Sequence, residues 1–278
     1  MIFILLPAYN EEQSFESLIP GIADHLRAAG LDYKIIVCND GSNDKTAQVL
    51  DRLRQSYSIA VLTHKINRGL GETSRDLFER AAELASPEDV IIRLDSDNTH
   101  EPQYFSQMIK KLNEGFDVVT ASRFQKGGGQ SGVGLYRSII SYCAQIFIKF
   151  VFGLWGQKEF SCGFRAYRAS IIQRAIRVYG NQFIQLKGLG FTCTLEKMIK
   201  LKLLGARFAE IGFHLRYDKK TSYSKMVTSV TTLGYLIMAV LYHWPFGGWR
   251  YNWPDKIREY EDSQNSLASN YKNTNYFQ

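Results

Sequence analysis

Five apolar-rich runs dominate the first half of the chain, and each stops at a polar, turn-forming cluster. Residues 2–6 end at Pro7-Ala8-Tyr9-Asn10-Glu11-Glu12, and residues 33–38 end at Asn39-Asp40-Gly41-Ser42. Residues 59–63 lead to Asn67-Arg68-Gly69-Leu70-Gly71. Residues 90–94 deliver Asp95-Ser96-Asp97, followed by His100 and Pro102; residues 116–121 deliver Ser122-Arg123-Phe124. Short apolar runs without strict alternation predict strands buried on both faces, hence a parallel sheet. Helices are predicted to about Ala29, closed by Gly30, then after Thr46, over about 72–85, and over about 102–113 with Pro102 in the first turn. The alternation predicts an α/β fold, a doubly wound and mostly parallel sheet with helices on both faces. The polar clusters then share its carboxyl edge, where open α/β sheets bind ligands.

The second half is patterned differently. Gly127-Gly128-Gly129-Gln130-Ser131-Gly132 reads as a flexible linker. Residues 135–154 place Ile139, Tyr142, Ile146 and Phe150 at helical spacing, with Ser141, Gln145 and Lys149 mostly off that stripe. Such a stripe fits packing on the sheet or a membrane interface. A strand within 159–169, helices near 169–178 and 190–203, and a last strand over 208–215 follow. Residues 216–225 are basic and turn-prone, fitting either a mobile lid or a solvated loop. Residues 226–244 are apolar but only about long enough to span a bilayer. The aromatics after them, Trp249, Tyr251 and Trp253 among them, favour an interfacial helix over a span, with core packing as the alternative. Residues 255–278 read as a polar, disordered tail. The expected organisation is a catalytic domain over 1–215, a lid and apolar helix over 216–254, and that tail.

Charge and cysteine usage narrow the partners. The 278 residues carry a formal charge of +7, which suits a phosphorylated substrate, an anionic membrane or nucleic acid. No stacking platform or recognition motif supports nucleic acid. The four cysteines form no CxxC or Cys/His pattern, so a reducing compartment is expected. Met1 runs straight into the first strand, so no leader peptide is expected.

The chemistry centres on Asp95 and Asp97. Two hard oxygen ligands at a strand end suit Mg²⁺ or Mn²⁺ carrying a diphosphate. Asp40 sits at a second strand end and Arg123 at a third, where a fixed cation could meet phosphate. Each cluster alone could be no more than a turn. Neither GxGxxG nor GxxxxGK is present.

Taken in order, seven segments resemble family 2 glycosyltransferases of the GT-A fold, and among them the dolichyl- or polyprenyl-phosphate mannose and glucose synthases. They are Leu6 to Glu11, Asp40-Gly41-Ser42, Asn67 to Gly71, Asp95-Ser96-Asp97 with His100 and Pro102, Ser122-Arg123-Phe124, Cys162-Gly163-Phe164-Arg165, and Ser224-Lys225-Met226. The resemblance spans about residues 2–226. It implies that Pro7, Tyr9, Glu11 and Asp40 hold a nucleoside, with Ser96 contacting the donor through its backbone. It implies that Asp95 and Asp97 bind the metal–diphosphate and Arg123 meets a phosphate. Lys219 and Lys225 would close over phosphates from the lid, and Asp97, Arg123 and Lys225 would be the catalytic set. Three departures stand out: Asn39 in place of a second Asp, Lys219 in place of Arg with Ser222 in place of Gly, and Glu159 in place of Asp.

The implied reaction is metal-dependent, inverting transfer of a hexose from a GDP- or UDP-sugar to a polyprenyl phosphate. The implied setting is the cytoplasmic membrane face, with peripheral attachment to the membrane or a membrane protein, and homo-oligomer formation left open. An ionised phosphate acceptor needs no general base. A glycan or lipid-linked saccharide hydroxyl would need one, with Glu159 and Glu196 as candidates. A nucleotide-sugar-binding subunit without catalysis is the remaining alternative.

Overall fold

The structure, a computed structural model, describes residues 1–132, 135–219 and 228–274. Its strands are β1 (Ile2–Ala8), β2 (Tyr33–Asp40), β3 (Ile59–His64), β4 (Val90–Arg93), β5 (Val118–Ser122), β6 (Gly129–Ser131), β7 (Arg165–Arg168), β8 (Phe208–Gly212) and β9 (His214–Arg216). Its helices are α1 (Glu12–Ala28), α2 (Thr46–Leu53), α3 (Leu70–Leu84), α4 (Phe105–Asn113), α5 (Leu135–Phe152), α6 (Ala169–Tyr179), α7 (Thr192–Leu203), α8 (Thr228–His243) and α9 (Gly248–Thr274). Seven strands form one sheet in the order β3-β2-β1-β4-β7-β5-β8. All five strands expected in the first half are present, and β1–β4 pair in parallel.

The apolar runs explain the layering. Successive strand residues point to opposite faces. Ile2, Ile4 and Leu6 of β1 join one core with Phe15 and Ile19 of α1 and Met108 of α4. Phe3 and Leu5 join the other, with Phe78 of α3, Ile172 of α6 and Met198 of α7. Both faces are therefore covered, as a parallel sheet requires. The order reverses at β1, whose neighbours are β2 and β4. That switch point opens the crevice in which such sheets bind ligands.

β7 is antiparallel to both neighbours, β4 and β5, and separates them. The glycine-rich stretch is not a free linker. It contains β6, which pairs in parallel with β9. The strand expected over 208–215 is accordingly divided into β8 and β9, which belong to different sheets. Glycines permit that closeness: a Cβ at Gly212 would lie 2.4 Å from the Lys126 carbonyl oxygen.

The C-terminal region also differs from expectation. α9 runs through the stretch read as a disordered tail, and Ile257 is buried. Trp249 and Trp253, expected at a membrane interface, lie in the core. The Trp253 ring meets Tyr179 edge-on at 4.5 Å, and the Lys200 ammonium lies 4.4 Å from the Trp249 ring. These contacts cover the end of the helical layer, so aromatic residues that read as amphipathic serve as packing. Trp253→Ala is expected to cost about 3–5 kcal/mol in urea unfolding. A purely interfacial tryptophan would leave that transition unmoved.

α5 and α8 split their apolar residues between two environments. Ile148 and Phe152 of α5 and Met238 of α8 are buried. Ile139, Tyr142 and Phe150 of α5 and Leu233, Leu236 and Val240 of α8 are exposed, Phe150 to 70%. The two helices meet where His243 Nε2 donates to the Val151 carbonyl at 2.9 Å. Among the described residues, no helix is long and apolar enough to cross a membrane.

Candidate active site

The carboxyl ends of β1, β2 and β4 lie side by side. Ala8 is level with Asn39, and Leu5 with Arg93. Asp95-Ser96-Asp97 leaves β4 there, and Ser96 Oγ donates to the Pro7 carbonyl at 2.8 Å. This bond ties the DxD turn to the end of β1. Asp97 Oδ1 accepts from the Thr99 N–H at 3.3 Å and from Thr99 Oγ1 at 2.6 Å. Asp97 is 7% exposed, so its carboxylate is held in a fixed, protected position.

Asp95 is set by two neighbours. Its N–H donates to His100 Nδ1 at 3.0 Å, which places the ring proton on Nε2. Its Oδ1 pairs with Arg93 Nη1 at 2.7 Å. Burial opposes the Arg93 charge, but Asp95 more than restores it, and the guanidinium pKa rises. Arg93 belongs to no recognised motif. Its only sequence signal is a charge inside an otherwise apolar run.

The Cys162-Gly163-Phe164-Arg165 segment supports this turn from below. Phe164 stacks on the His100 ring at 5.1 Å. A Cβ at Gly163 would lie 1.3 Å from Arg93 Nη1, so only glycine leaves room for the guanidinium. Arg165 donates to the carbonyls of Thr194 at 2.8 Å and Phe160 at 3.0 Å. Burial, helped by Glu159, pushes the Cys162 thiol up to about 12, leaving it an uncharged packing group.

On the other side, two loops are laced together. The Glu11 N–H donates to Thr46 Oγ1 at 2.9 Å, and Ser14 Oγ donates to Glu11 Oε2 at 2.8 Å. The Asn10 N–H donates to Ser42 Oγ at 2.9 Å. Asp40 accepts from the N–H groups of Arg68 and Gly69, each at 2.8 Å, and contacts His64 Nδ1 at 2.6 Å. Asp40 thus shapes the turn that starts α3. Pro7 and Tyr9 are half-buried at the crevice wall.

Arg123 follows β5 and forms a fork with Glu159. Nε donates to Oε2 at 2.7 Å and Nη2 to Oε1 at 2.9 Å. Nη2 also donates to Ser161 Oγ at 2.9 Å. Glu159 is 1% exposed. Burial would raise its pKa, but Arg123 overrides burial and holds the carboxyl below the usual range. Its Oε1 also accepts the N–H groups of Ser161 and Cys162. Glu196 is equally committed: it accepts the N–H groups of Gln185 and Leu186 and pairs with Lys200. Both carboxylates offered by the sequence as general bases are therefore structural acceptors here. Lys225 and the side chain of Lys219 lie outside the described residues.

The structure thus brings Pro7, Tyr9, Glu11, Asp40, Asp95, Ser96 and Asp97 to one edge. Among the described residues, no group of three His, Cys, Asp or Glu side chains could hold a metal. The donor set does fit a divalent ion shared with a ligand, because Mg²⁺ is commonly held by one or two carboxylates plus phosphate and water.

Known proteins extend this picture. The chain is 27% identical over 213 residues to a dolichol-phosphate mannosyltransferase of Pyrococcus furiosus, covering 76% of this chain and 55% of that protein. It thus spans about half the length of that relative. It is 26% identical over 259 residues to an undecaprenyl-phosphate 4-deoxy-4-formamido-L-arabinose transferase of Pectobacterium atrosepticum, covering 86% of this chain and 75% of that one. Its fold resembles glucosyl-3-phosphoglycerate synthase of Mycobacterium tuberculosis, solved with Mn²⁺, UDP and phosphoglyceric acid. There the TM-score is 0.57 at 18% identity, over 87% of this chain and 77% of that one. The glycosyl transferase family 2 sequence profile matches residues 3–176, which take in β2 to β7 and all of β1 but its first residue, and the chain belongs to that family.

Proposed function

We propose that the chain transfers a hexose from a nucleoside-diphosphate sugar to a polyprenyl phosphate, with inversion, at a membrane surface. The commitment of Glu159 and Glu196 carries this reading. A hydroxyl acceptor must lose a proton to a base. A phosphate monoester is already ionised near neutral pH and needs only placement. The two relatives that name dolichol and undecaprenyl phosphate agree in acceptor class.

In this reading a phosphate oxygen of the acceptor attacks the anomeric carbon. The bond from that carbon to the donor's diphosphate breaks, and its electron pair leaves on the nucleoside diphosphate. A Mg²⁺ or Mn²⁺ ion held by Asp95 and Asp97 would neutralise charge on that leaving group. Ser96 and Pro7 fix the turn that presents both carboxylates. Arg123, its guanidinium fixed by Glu159, would contact the diphosphate or the acceptor phosphate. Lys219 and Lys225 would add positive charge for the donor phosphates. The exposed apolar residues of α5 and α8 suit contact with a lipid acceptor or an interface.

The test compares polyprenyl phosphate with the matching polyprenol, using UDP- and GDP-hexoses with Mg²⁺ or Mn²⁺ and with chelator. Transfer to the phosphate alone is expected, and chelator should abolish it. Equal turnover on the alcohol or on a saccharide hydroxyl would overturn the acceptor assignment.

A further inference from the structure

Arg93 is a charge placed where β4 is otherwise apolar: Val90, Ile91 and Ile92 precede it, and it is itself 3% exposed. Burying a guanidinium is costly unless it is paired. Its pair is Asp95, through Nη1 and Oδ1 at 2.7 Å. Arg165 faces it across the β4–β7 register, but the Arg165 guanidinium is directed to the carbonyls of Phe160 and Thr194. Two cations thus share one level of the sheet, and only one of them is aimed at the DxD turn. Gly163 provides the space, since any Cβ there would overlap Arg93 Nη1.

We propose that Arg93 is a positioning residue that fixes Asp95 and cancels its charge, so that the divalent ion enters together with the nucleoside diphosphate rather than on the bare protein. The inference rests on the metal–diphosphate reading above. Asp95 and Asp97 would together offer two negative charges to a bare cation. The internal Arg93 reduces that sum to one. The diphosphate brings the missing negative charge, so metal and nucleotide each strengthen binding of the other by the same factor. Arg93 also fixes the Asp95 carboxylate through Oδ1, with Oδ2 3.8 Å from the buried His100 Nε2.

The experiment measures Mn²⁺ binding to the full chain by electron paramagnetic resonance, with and without UDP or GDP. Wild type is expected to bind Mn²⁺ at least about tenfold more tightly with a nucleoside diphosphate, within the usual range of coupling between sites. Arg93→Met should bind Mn²⁺ alone several-fold more tightly than wild type and lose most of the coupling. Arg93→Lys, which keeps the charge, should restore much of it. Gly163→Ala displaces the guanidinium without removing it and should resemble Arg93→Met. It provides the same reading if Arg93→Met does not fold, as judged by its thermal transition. Unchanged Mn²⁺ affinity and coupling in these variants overturn the proposal while leaving the donor site intact. No Mn²⁺ binding in any form, even with diphosphate, removes the metal reading and the proposal with it.

Discussion

Asp97→Asn is expected to lower hexose transfer by about 10²–10³-fold, the scale seen when one preorganised electrostatic group is lost from a transition state. The substitution keeps an oxygen to accept from the Thr99 N–H and Oγ1, so the turn should hold its shape. What it removes is the charge, at a position only 7% exposed. The thermal transition should therefore stay close to wild type while kcat falls. Steady-state kinetics at saturating donor, beside a melting curve, separates the two effects. A variant with near-wild-type kcat would falsify the role given to this carboxylate.

The second large effect is on stability as well as turnover. Arg123→Ala strips Glu159 of its fork and leaves a carboxylate buried at 1% exposure. Removing one partner of a buried pair costs about 3–5 kcal/mol, because the remaining charge stays uncompensated. The pH dependence follows from Glu159. Its folded pKa lies below the usual value, so the pair contributes stability above the unfolded carboxyl pKa. That contribution is lost as pH falls through the folded value. The gap between wild type and Arg123→Ala in urea midpoints should thus be full near neutral pH and narrow below about pH 4. Arg123→Ala/Glu159→Gln should recover part of the loss, since it removes the orphaned charge. A constant gap from pH 7 to pH 3 would contradict the ion-pair account.

Much of the donor side is legible from sequence because it depends on short-range patterning. The apolar runs before Pro7, Asn39 and Asp95 read as buried strands, and their polar ends share an edge once the strands are parallel. The same logic finds Asp95 and Asp97 without a structure. It misses Arg93, because a lone arginine in an apolar run names no partner; its pairing with Asp95 and its clearance over Gly163 exist only after β7 slides beside β4. β6 is hidden for a related reason. Gly129-Gln130-Ser131 has no strand propensity of its own, and its pairing is set by β9, far along the chain. Trp249 and Trp253 have the same amphipathic signature in a core as at a bilayer, and only Tyr179 and Lys200 decide between them. The tail is polar over most of its length, and its first turns are anchored by the buried Ile257.

β7 follows β5 in the chain but lies between β4 and β5 in the sheet. During synthesis from the N-terminus, β1 to β4 can pair once residue 93 has emerged. β5 then has no inner neighbour until residues 165–168 arrive, and its outer neighbour β8 comes later still. Pairings between strands distant in sequence form more slowly than local ones. The half of the sheet that carries Asp95 thus draws its strands from the first 93 residues, while the half that carries Arg123 depends on partner strands whose paired residues lie 45 or more positions further along the chain, the nearest being Thr120 with Arg165.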